Sequence, residues 1–440
     1  ICFSCKELVF TTSTSSCLYA CPSHEEFSFI NEKIKDKPFY KKKWVKITAG
    51  TVVLAIIFGL VSGVTFVKVN SWLEVRREKE EVKAIEIPKD SKEEVQSPLP
   101  VQTDETEPVE PVIVEAELTV EEYGKLYDEI QSVAKEASKS LVAVTTVNND
   151  VDWFNEAYEN RGQSVGMIIG DNGVELLILT RYATVKACDG IHVTFADDTS
   201  ASAVVKKYDV ITGLAILSVN LSDISSKTNE AILEAQLGNS VRLEPGEPVI
   251  AIGSADGSEG SLKIGTLTST KNTQSVVDAE YTMLITDMVK NAGADGVLIN
   301  LKGQVIGILQ EEQQIPNGEN VLTAYAISDI KSLLEHLSNN QDVAYLGIKG
   351  VAVTEEAQKE KIPQGIYVTE VQMDSPAMRG GIQSGDIIQT INGQKVTGMS
   401  ELSAVLTRLS NKQNISLEGQ RLTKDGYKKV NYQTSLSVLE

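Results

Sequence analysis

Histidine is nearly missing from this chain: His24, His192 and His336 are the three in 440 residues. Chemistry that needs an imidazole to take a proton therefore has few places to reside. Cysteine is scarce as well, and badly distributed for cross-linking. Cys2, Cys5, Cys17 and Cys21 crowd the N-terminus and Cys188 stands alone, so no disulfide framework spans the rest of the chain. An excess of positive charge is also lacking. Lys and Arg number 41 against 61 Asp and Glu, a formal charge of −20, which excludes the basic surface a nucleic-acid partner requires. No internal repeat is found. Methionine does not occur before Met167 and the chain opens on Ile1, as expected of a fragment or of a start placed upstream of the true one.

The four early cysteines are spaced Cys2-x2-Cys5 and Cys17-x3-Cys21 with His24 close by, a spacing that zinc ligands can use. The segment is short and rich in Ser and Thr, which favours an unstructured leader, and no metal or cofactor is expected.

What is present points to several parts. A chain of 440 residues with an apolar fraction of 42% forms two or three domains, each with its own core. Lys41-Lys42-Lys43-Trp44-Val45-Lys46 precedes an uncharged run from Ile47 to Val67. As a helix, such a run of about twenty residues crosses the hydrocarbon core of a bilayer. The basic cluster on its N-terminal side assigns residues 1–46 to the cytoplasm and everything after Lys68 to the far side of the cell membrane. Without a small-residue cleavage signal, residues 47–67 are expected to remain as a single-pass anchor. Residues 68–117 are dominated by Glu, Lys, Pro and Val, with Pro88, Pro98, Pro100, Pro108 and Pro111 breaking helices, and are expected to be an extended acidic linker.

A helix is expected from Val120 to about Ser138, with Leu126, Ile130, Val133 and Ala134 near a 3.6-residue period. Thr119 and Glu122 form a capping box at its start. Short strands then follow at 141–147, 164–169, 175–180, 191–195, 202–208 and 215–219. A second group falls at 248–253, 262–270, 283–287, 297–301, 304–310 and 323–326. So many short strands at regular spacing read as a mostly β fold, and two six-stranded barrels account for them. A polar helix, Ile327–Ser338, and the linker 339–342 lead into a separable segment, 344–440, with a helix near 400–409.

Three stretches of the barrel region carry a family resemblance. Thr286-Asp287-Met288-Val289-Lys290-Asn291-Ala292-Gly293-Ala294-Asp295-Gly296 resembles the nucleophile loop of HtrA/DegP-type serine proteases, roughly TDA-x-x-N-x-GNSGGP. Glu247-Pro248-Val249-Ile250-Ala251-Ile252-Gly253-Ser254 is similar to that family's GDPVIAIGSP strand, and Gly303-Gln304-Val305-Ile306-Gly307-Ile308 to its G-x-VIGI strand. Ser375-Pro376-Ala377 followed by Gly385-Asp386-Ile387-Ile388 and Asn392-Gly393 resembles a bacterial PDZ domain. The resemblance implies a trypsin-like double β-barrel over 118–338 and a PDZ domain over 344–440. It implies that Tyr345, Leu346, Gly347 and Ile348 form the loop that holds a peptide's C-terminal carboxylate. Leu402, Leu406 and Val405 would line the pocket for the last side chain. Homotrimers, or association with active relatives, are implied in the same way.

The same resemblance places the catalytic positions, and all three are substituted. Ala183 stands where the family has its histidine, Gly213 where it has its aspartate, and Asp295 where it has its serine. Gly293 remains from the oxyanion loop. Neither His192 nor His336 reaches the histidine position by a small shift of alignment, and His24 lies before the anchor. A Ser–Lys pair using Lys290 with Ser254 or Ser164 has no support in the spacing. The expectation is a pseudoprotease that binds peptide or protein C-termini as a scaffold, chaperone or regulator in envelope protein quality control. The alternative is a working serine endopeptidase with a relocated site. Two further expectations concern single groups. Asp295 is either a solvent-tolerant turn residue that has drifted once a serine was no longer selected, or a carboxylate that folds into the vacant oxyanion hole and accepts N–H groups near Gly293. The aromatic residues Trp153, Phe154 and Tyr158 form an interface or pack locally.

Overall fold

The structure is a computed structural model, and it describes residues 83–90, 119–151, 157–310 and 320–439. The cysteine-rich leader, the apolar run 47–67, most of the acidic linker and Trp153-Phe154 lie outside the described residues. Among the described residues no helix is long and apolar enough to cross a membrane.

The helix Val120–Ser138 begins at the capping box read from the sequence, Thr119 Oγ1 accepting from Glu122 N while the Glu122 carboxylate takes the Thr119 N–H. Ala134 is its one fully buried residue, with Ile130, Val133 and Ala137 packed beside it. Twelve strands follow in two closed barrels. The first holds β1 (Leu141–Val151), β2 (Ala157–Asp171), β3 (Glu175–Arg181), β4 (Gly190–Thr194), β5 (Ser200–Asp209) and β6 (Leu214–Asn220). The second holds β7 (Pro248–Ser254), β8 (Ser261–Val276), β9 (Ala279–Val289), β10 (Asp295–Ile299), β11 (Val305–Gln310) and β12 (Val321–Ala326).

The run of apolar residues in β3 and β6 follows from what each face meets. Leu176, Ile178, Ala215, Leu217 and Val219 fill the inside of the first barrel. Their alternates Leu177, Leu179, Leu214 and Ile216 join Ile250, Ile252, Val297 and Ile299 of the second barrel in one shared core. A strand buried on both faces loses the polar alternation of a solvent-facing one. The inside of the second barrel is closed by Leu284, Leu298, Ile306 and Leu322. The Thr-Asp pair before the nucleophile-type loop is structural. Thr286 Oγ1 donates to Leu322 O, and the Asp287 carboxylate accepts from Thr266 N and Oγ1 at 2.8 and 2.9 Å. The Thr266 N–H, with some opposition from burial, holds the Asp287 carboxyl below the usual range.

Two expectations need correcting. The helix Ile327–Ser338 is not a polar element. Ile327, Ile330, Leu333, Leu334 and Leu337 are buried in the shared core, while Asp329, Ser332 and Glu335 stay on the more exposed side. Nor does the described part of the acidic linker, residues 83–90, stand clear of the folded domain. Ile87 is buried in the shared core, Ile85 exchanges two hydrogen bonds with the Asn339 amide (2.9 and 2.8 Å), and Asp90 pairs with Lys331 at 2.8 Å. Two isoleucines spaced by one residue supply the apolar surface that the surrounding charges lack.

The C-terminal domain is a sheet in the order β13 (Ile348–Ala352), β14 (Ile366–Val371), β15 (Ile387–Ile391), β17 (Asn414–Thr423) and β18 (Gly426–Ser435), with β16 (Gln394–Lys395) paired to β15. The helix Met399–Leu406 covers it. The Gly385-Asp386 signature is an anchor of this fold. Asp386 is buried and accepts from Gln383 N and from two nitrogens of Arg421, at 2.6 and 2.8 Å. Burial alone would raise its pKa, but Arg421 and the Gln383 N–H prevail and hold it low.

Candidate functional site

Ala183, Gly213 and Asp295 come from three separate elements and line one cavity of about 440 Å³ at the junction of the barrels. Ala183 sits in the short helix Tyr182–Val185 that ends β3. Gly213 lies in the turn between β5 and β6, where the Asp209 carboxylate accepts from Thr212 N and Oγ1. The Gly213 carbonyl accepts from Tyr182 N at 2.8 Å, which ties the two elements together. Gly213 has φ 70°, a left-handed conformation that favours glycine. Asp295 opens β10, and the next residue must be glycine. A Cβ at Gly296 would lie 2.1 Å from the Ile252 carbonyl of β7.

The Asp295 carboxylate is clamped rather than free. It is 7% exposed. Its Oδ1 meets Arg181 Nε at 2.9 Å and Gly296 N at 2.8 Å, and its Oδ2 accepts from Val165 N at 2.8 Å. Arg181 also donates through Nη2 to the Ala294 carbonyl. Arg181 and Val165 belong to the first barrel and Asp295 to the second, so the contact crosses the junction. Of the two alternatives for Asp295 the buried carboxylate is found, but its donors differ from those expected. The N–H groups come from Val165 and Gly296, not from around Gly293, because Arg181 pulls the carboxylate towards β3. Gly293 keeps φ 74°, and it lines a second cavity with Ser164, Ser254 and Asp295. Gln163 and Glu259 bridge the barrels on that side at 2.7 Å.

A carboxylate holding three donors is a poor nucleophile, and no histidine lines either cavity. His192 is exposed on β4. His336 bridges the Ser332 and Thr407 carbonyls through its two ring nitrogens (3.0 and 2.6 Å) and joins the barrel domain to the end of the helix Met399–Leu406. The Ser164 hydroxyl is shared with Thr180 at 2.7 Å, and Lys290 has its backbone N–H on Asn320 O. Among the described residues no group of three or more His, Cys, Asp and Glu side chains is arranged to hold a metal.

In the C-terminal domain the predicted loop is complete. Gly347 has φ 92°, and a Cβ there would strike the Ser375 side chain at 2.3 Å. Leu402, Val405 and Leu406 are buried in the domain core. The N–H groups of Leu346, Gly347 and Ile348 all point at one acceptor, the carboxylate of Asp278 from the turn between β8 and β9 (2.7 to 2.9 Å). Burial pushes the Asp278 carboxyl up to about 6 against the lowering effect of those three N–H groups. Sequence reasoning singled out neither Arg181 nor Asp278. The one available signal for Asp278 is an aspartate at the second position of a two-residue hairpin turn.

Known proteins agree with this architecture. The trypsin-like peptidase domain family matches residues 165–308, and the PDZ domain family matches residues 337–419. The two barrels and the domain after them therefore define the class: a trypsin-like peptidase fold with a C-terminal PDZ domain. Within that class the chain is an HtrA/DegP-like protein. It is 29% identical over 260 residues to serine protease Do-like HtrB of Bacillus subtilis, covering 55% of each chain. It is 25% identical over 350 residues to serine protease Do-like HtrA of Lactococcus lactis subsp. cremoris, covering 71% of this chain and 84% of the relative. The chain spans 55% of the length of the first of these relatives and 64% of a similar Lactobacillus helveticus HtrA. Among solved structures, the HtrA-type protease AlgW with decapeptide superposes with a TM-score of 0.52 at 21% identity, covering 71% of this chain and 99% of that one; it shares the fold.

Proposed function

We propose that the chain is a membrane-anchored, extracytoplasmic pseudoprotease whose PDZ domain captures the C-termini of peptides or proteins. The single observation carrying this reading is the Asp295 clamp: the position that resembles the family's nucleophile holds a carboxylate fixed by Arg181, Val165 N and Gly296 N. With Ala183 and Gly213 beside it, the cavity contains no group to activate a hydroxyl. The barrels then serve as a scaffold. The protein acts as a chaperone or regulator in envelope protein quality control, as a homotrimer or together with active relatives. The anchor is residues 47–67, with the N-terminus cytoplasmic and both folded domains on the far side of the cell membrane.

A second reading is a working endopeptidase with a relocated site, and the relatives' names as serine proteases favour it. One assay separates the two. The full chain is offered unfolded β-casein and, in parallel, immobilised peptides ending in a free carboxylate or in an amide. Capture by the carboxylate set alone, with casein intact, supports the proposal. Casein fragments that vanish on treatment with a fluorophosphonate would establish the second reading.

A further inference from the structure

The PDZ carboxylate loop is already filled by the chain itself. Two features of Asp278 and one of Ser275 reproduce what the last residues of a bound peptide would offer. Its carboxylate accepts the N–H groups of Leu346, Gly347 and Ile348. Its own backbone N–H donates to the Ile348 carbonyl at 2.8 Å. One step further along β13, Ser275 Oγ donates to the Gly350 carbonyl at 2.9 Å, so the end of β8 follows β13 where an added strand would lie. Ser403 and Leu406 of the helix Met399–Leu406 line the small cavity beside Val277, Asp278 and Ala279.

Asp278 holds this place against two unfavourable features. It is the second residue of the two-residue turn joining Val276 to Ala279, and its φ is 60°, where glycine or asparagine is favoured. It is also a buried carboxylate that forms no salt bridge among the described residues. An aspartate tolerates the turn, but a turn alone would leave its carboxylate in water, whereas the three inward-facing N–H groups account for its burial.

We propose that the β8–β9 hairpin is an intramolecular latch, in which Asp278 stands in for a ligand's terminal carboxylate and keeps the PDZ groove closed until a C-terminal peptide displaces it. The proposal rests on the PDZ reading above and deepens it. The ligand it selects is an extended segment with a free terminal carboxylate and an apolar last side chain. That side chain enters the space near Leu406 and Tyr345 that Val277 and Ala279 now share. Such a ligand must supply both the N–H to Ile348 and the carboxylate, so an amidated peptide fails to compete.

The test uses the full chain and two variants. Asp278→Gly suits the turn's φ and removes the carboxylate; Asp278→Asn keeps the shape, the conformation and one acceptor oxygen for the loop N–H groups but lacks the charge. Hydrogen exchange of the Leu346, Gly347 and Ile348 amides reads the latch without any ligand. A titration with a pool of random decapeptides bearing a free carboxylate and an apolar last residue reads the competition. The latch predicts slow exchange at the three amides in the wild type and at least tenfold faster exchange in Asp278→Gly. It also predicts at least tenfold tighter binding of the pool to Asp278→Gly than to the wild type, whereas Asp278→Asn, neutral like the protonated aspartate, stays latched and binds the pool no more tightly than the wild type. Rapid exchange in the wild type, or equal affinity of the wild type and Asp278→Gly for the pool, overturns it. Failure of the underlying PDZ reading looks different: the amides deprotect in Asp278→Gly while no carboxylate peptide binds any form, which removes the ligand and with it the gating role.

Discussion

Removing the Asp295 carboxylate should loosen the junction between the barrels. In Asp295→Ala the Arg181 guanidinium, whose side chain is 17% exposed, loses its ionic partner and retains the Ala294 carbonyl. Val165 N and Gly296 N each lose an acceptor. Deleting one member of a buried pair costs ~3–5 kcal/mol. The residual water contact and the Ala294 bond place this site at the lower end, about 3 kcal/mol. For a unit of this size, with each kcal/mol worth ~2–4 °C, the barrel transition should fall by roughly 6–12 °C. Arg181→Ala should cost less, about 2 kcal/mol, because the carboxylate keeps its two backbone N–H groups. The double variant should be more stable than the sum of the singles implies, by about 1–2 kcal/mol. Differential scanning calorimetry of the full chain reads the shift of the transition in which the barrels melt. If Asp295→Ala melts within a degree or two of the wild type, or if the singles simply add, the carboxylate is not clamped and the reasoning fails.

Further outcomes follow from the same contacts. Asp295→Ser, which restores the hydroxyl, should leave casein uncut over hours, since Ala183 and Gly213 supply neither base nor orienting group; measurable cleavage argues for a base elsewhere. The Asp278 pKa, raised from 3.8 to about 6, means that protonation favours the docked hairpin. Lys207, Asp209 and Tyr345 share its small cavity, and Arg379 acts on Tyr345. The latch should therefore be tightest below about pH 4 and loosen as pH rises to about 6, by on the order of 3 kcal/mol. Affinity for carboxylate peptides should climb over that window and level off above it, and a fall over the same window contradicts the linkage. Asp386→Ala strands Arg421 and should cost the PDZ transition about 3 kcal/mol, read by calorimetry; because Asp386 titrates low, the wild-type domain should keep this contribution until pH drops below about 4. Ile87→Asp should detach residues 83–90 from the shared core at a cost of about 2 kcal/mol, visible as faster exchange at Ile85 and Lys83, whose N–H groups are bonded to Asn339 and Asn172.

The architecture was legible because it lies in local patterns. The strand spacing, the Thr119–Glu122 box and the Gly385-Asp386 signature each act over a few residues and carry their own geometry. The three substituted positions were legible as identities, and the structure brings Ala183, Gly213 and Asp295 around one cavity. What fills the two sites was not legible. Arg181 meets Asp295 across 114 positions of sequence, and Asp278 meets Gly347 across 69. Neither partner has a periodicity or spacing that points to the other, since long-range pairs of this kind are created by the docking of whole domains. The docking of residues 83–90 was hidden for a different reason: two isoleucines in a charged, proline-rich run are too few to register as an element, yet enough to bind a preformed groove.

The claim that matters most is that the barrel pair has no working nucleophile, and intact-mass analysis after exposure to a small fluorophosphonate tests it directly. The full chain, with and without a carboxylate-ending peptide pool, is incubated with excess reagent and weighed. The account predicts an unchanged mass in both conditions. A stoichiometric adduct that maps to a serine, Ser164 or Ser254 foremost, would contradict it.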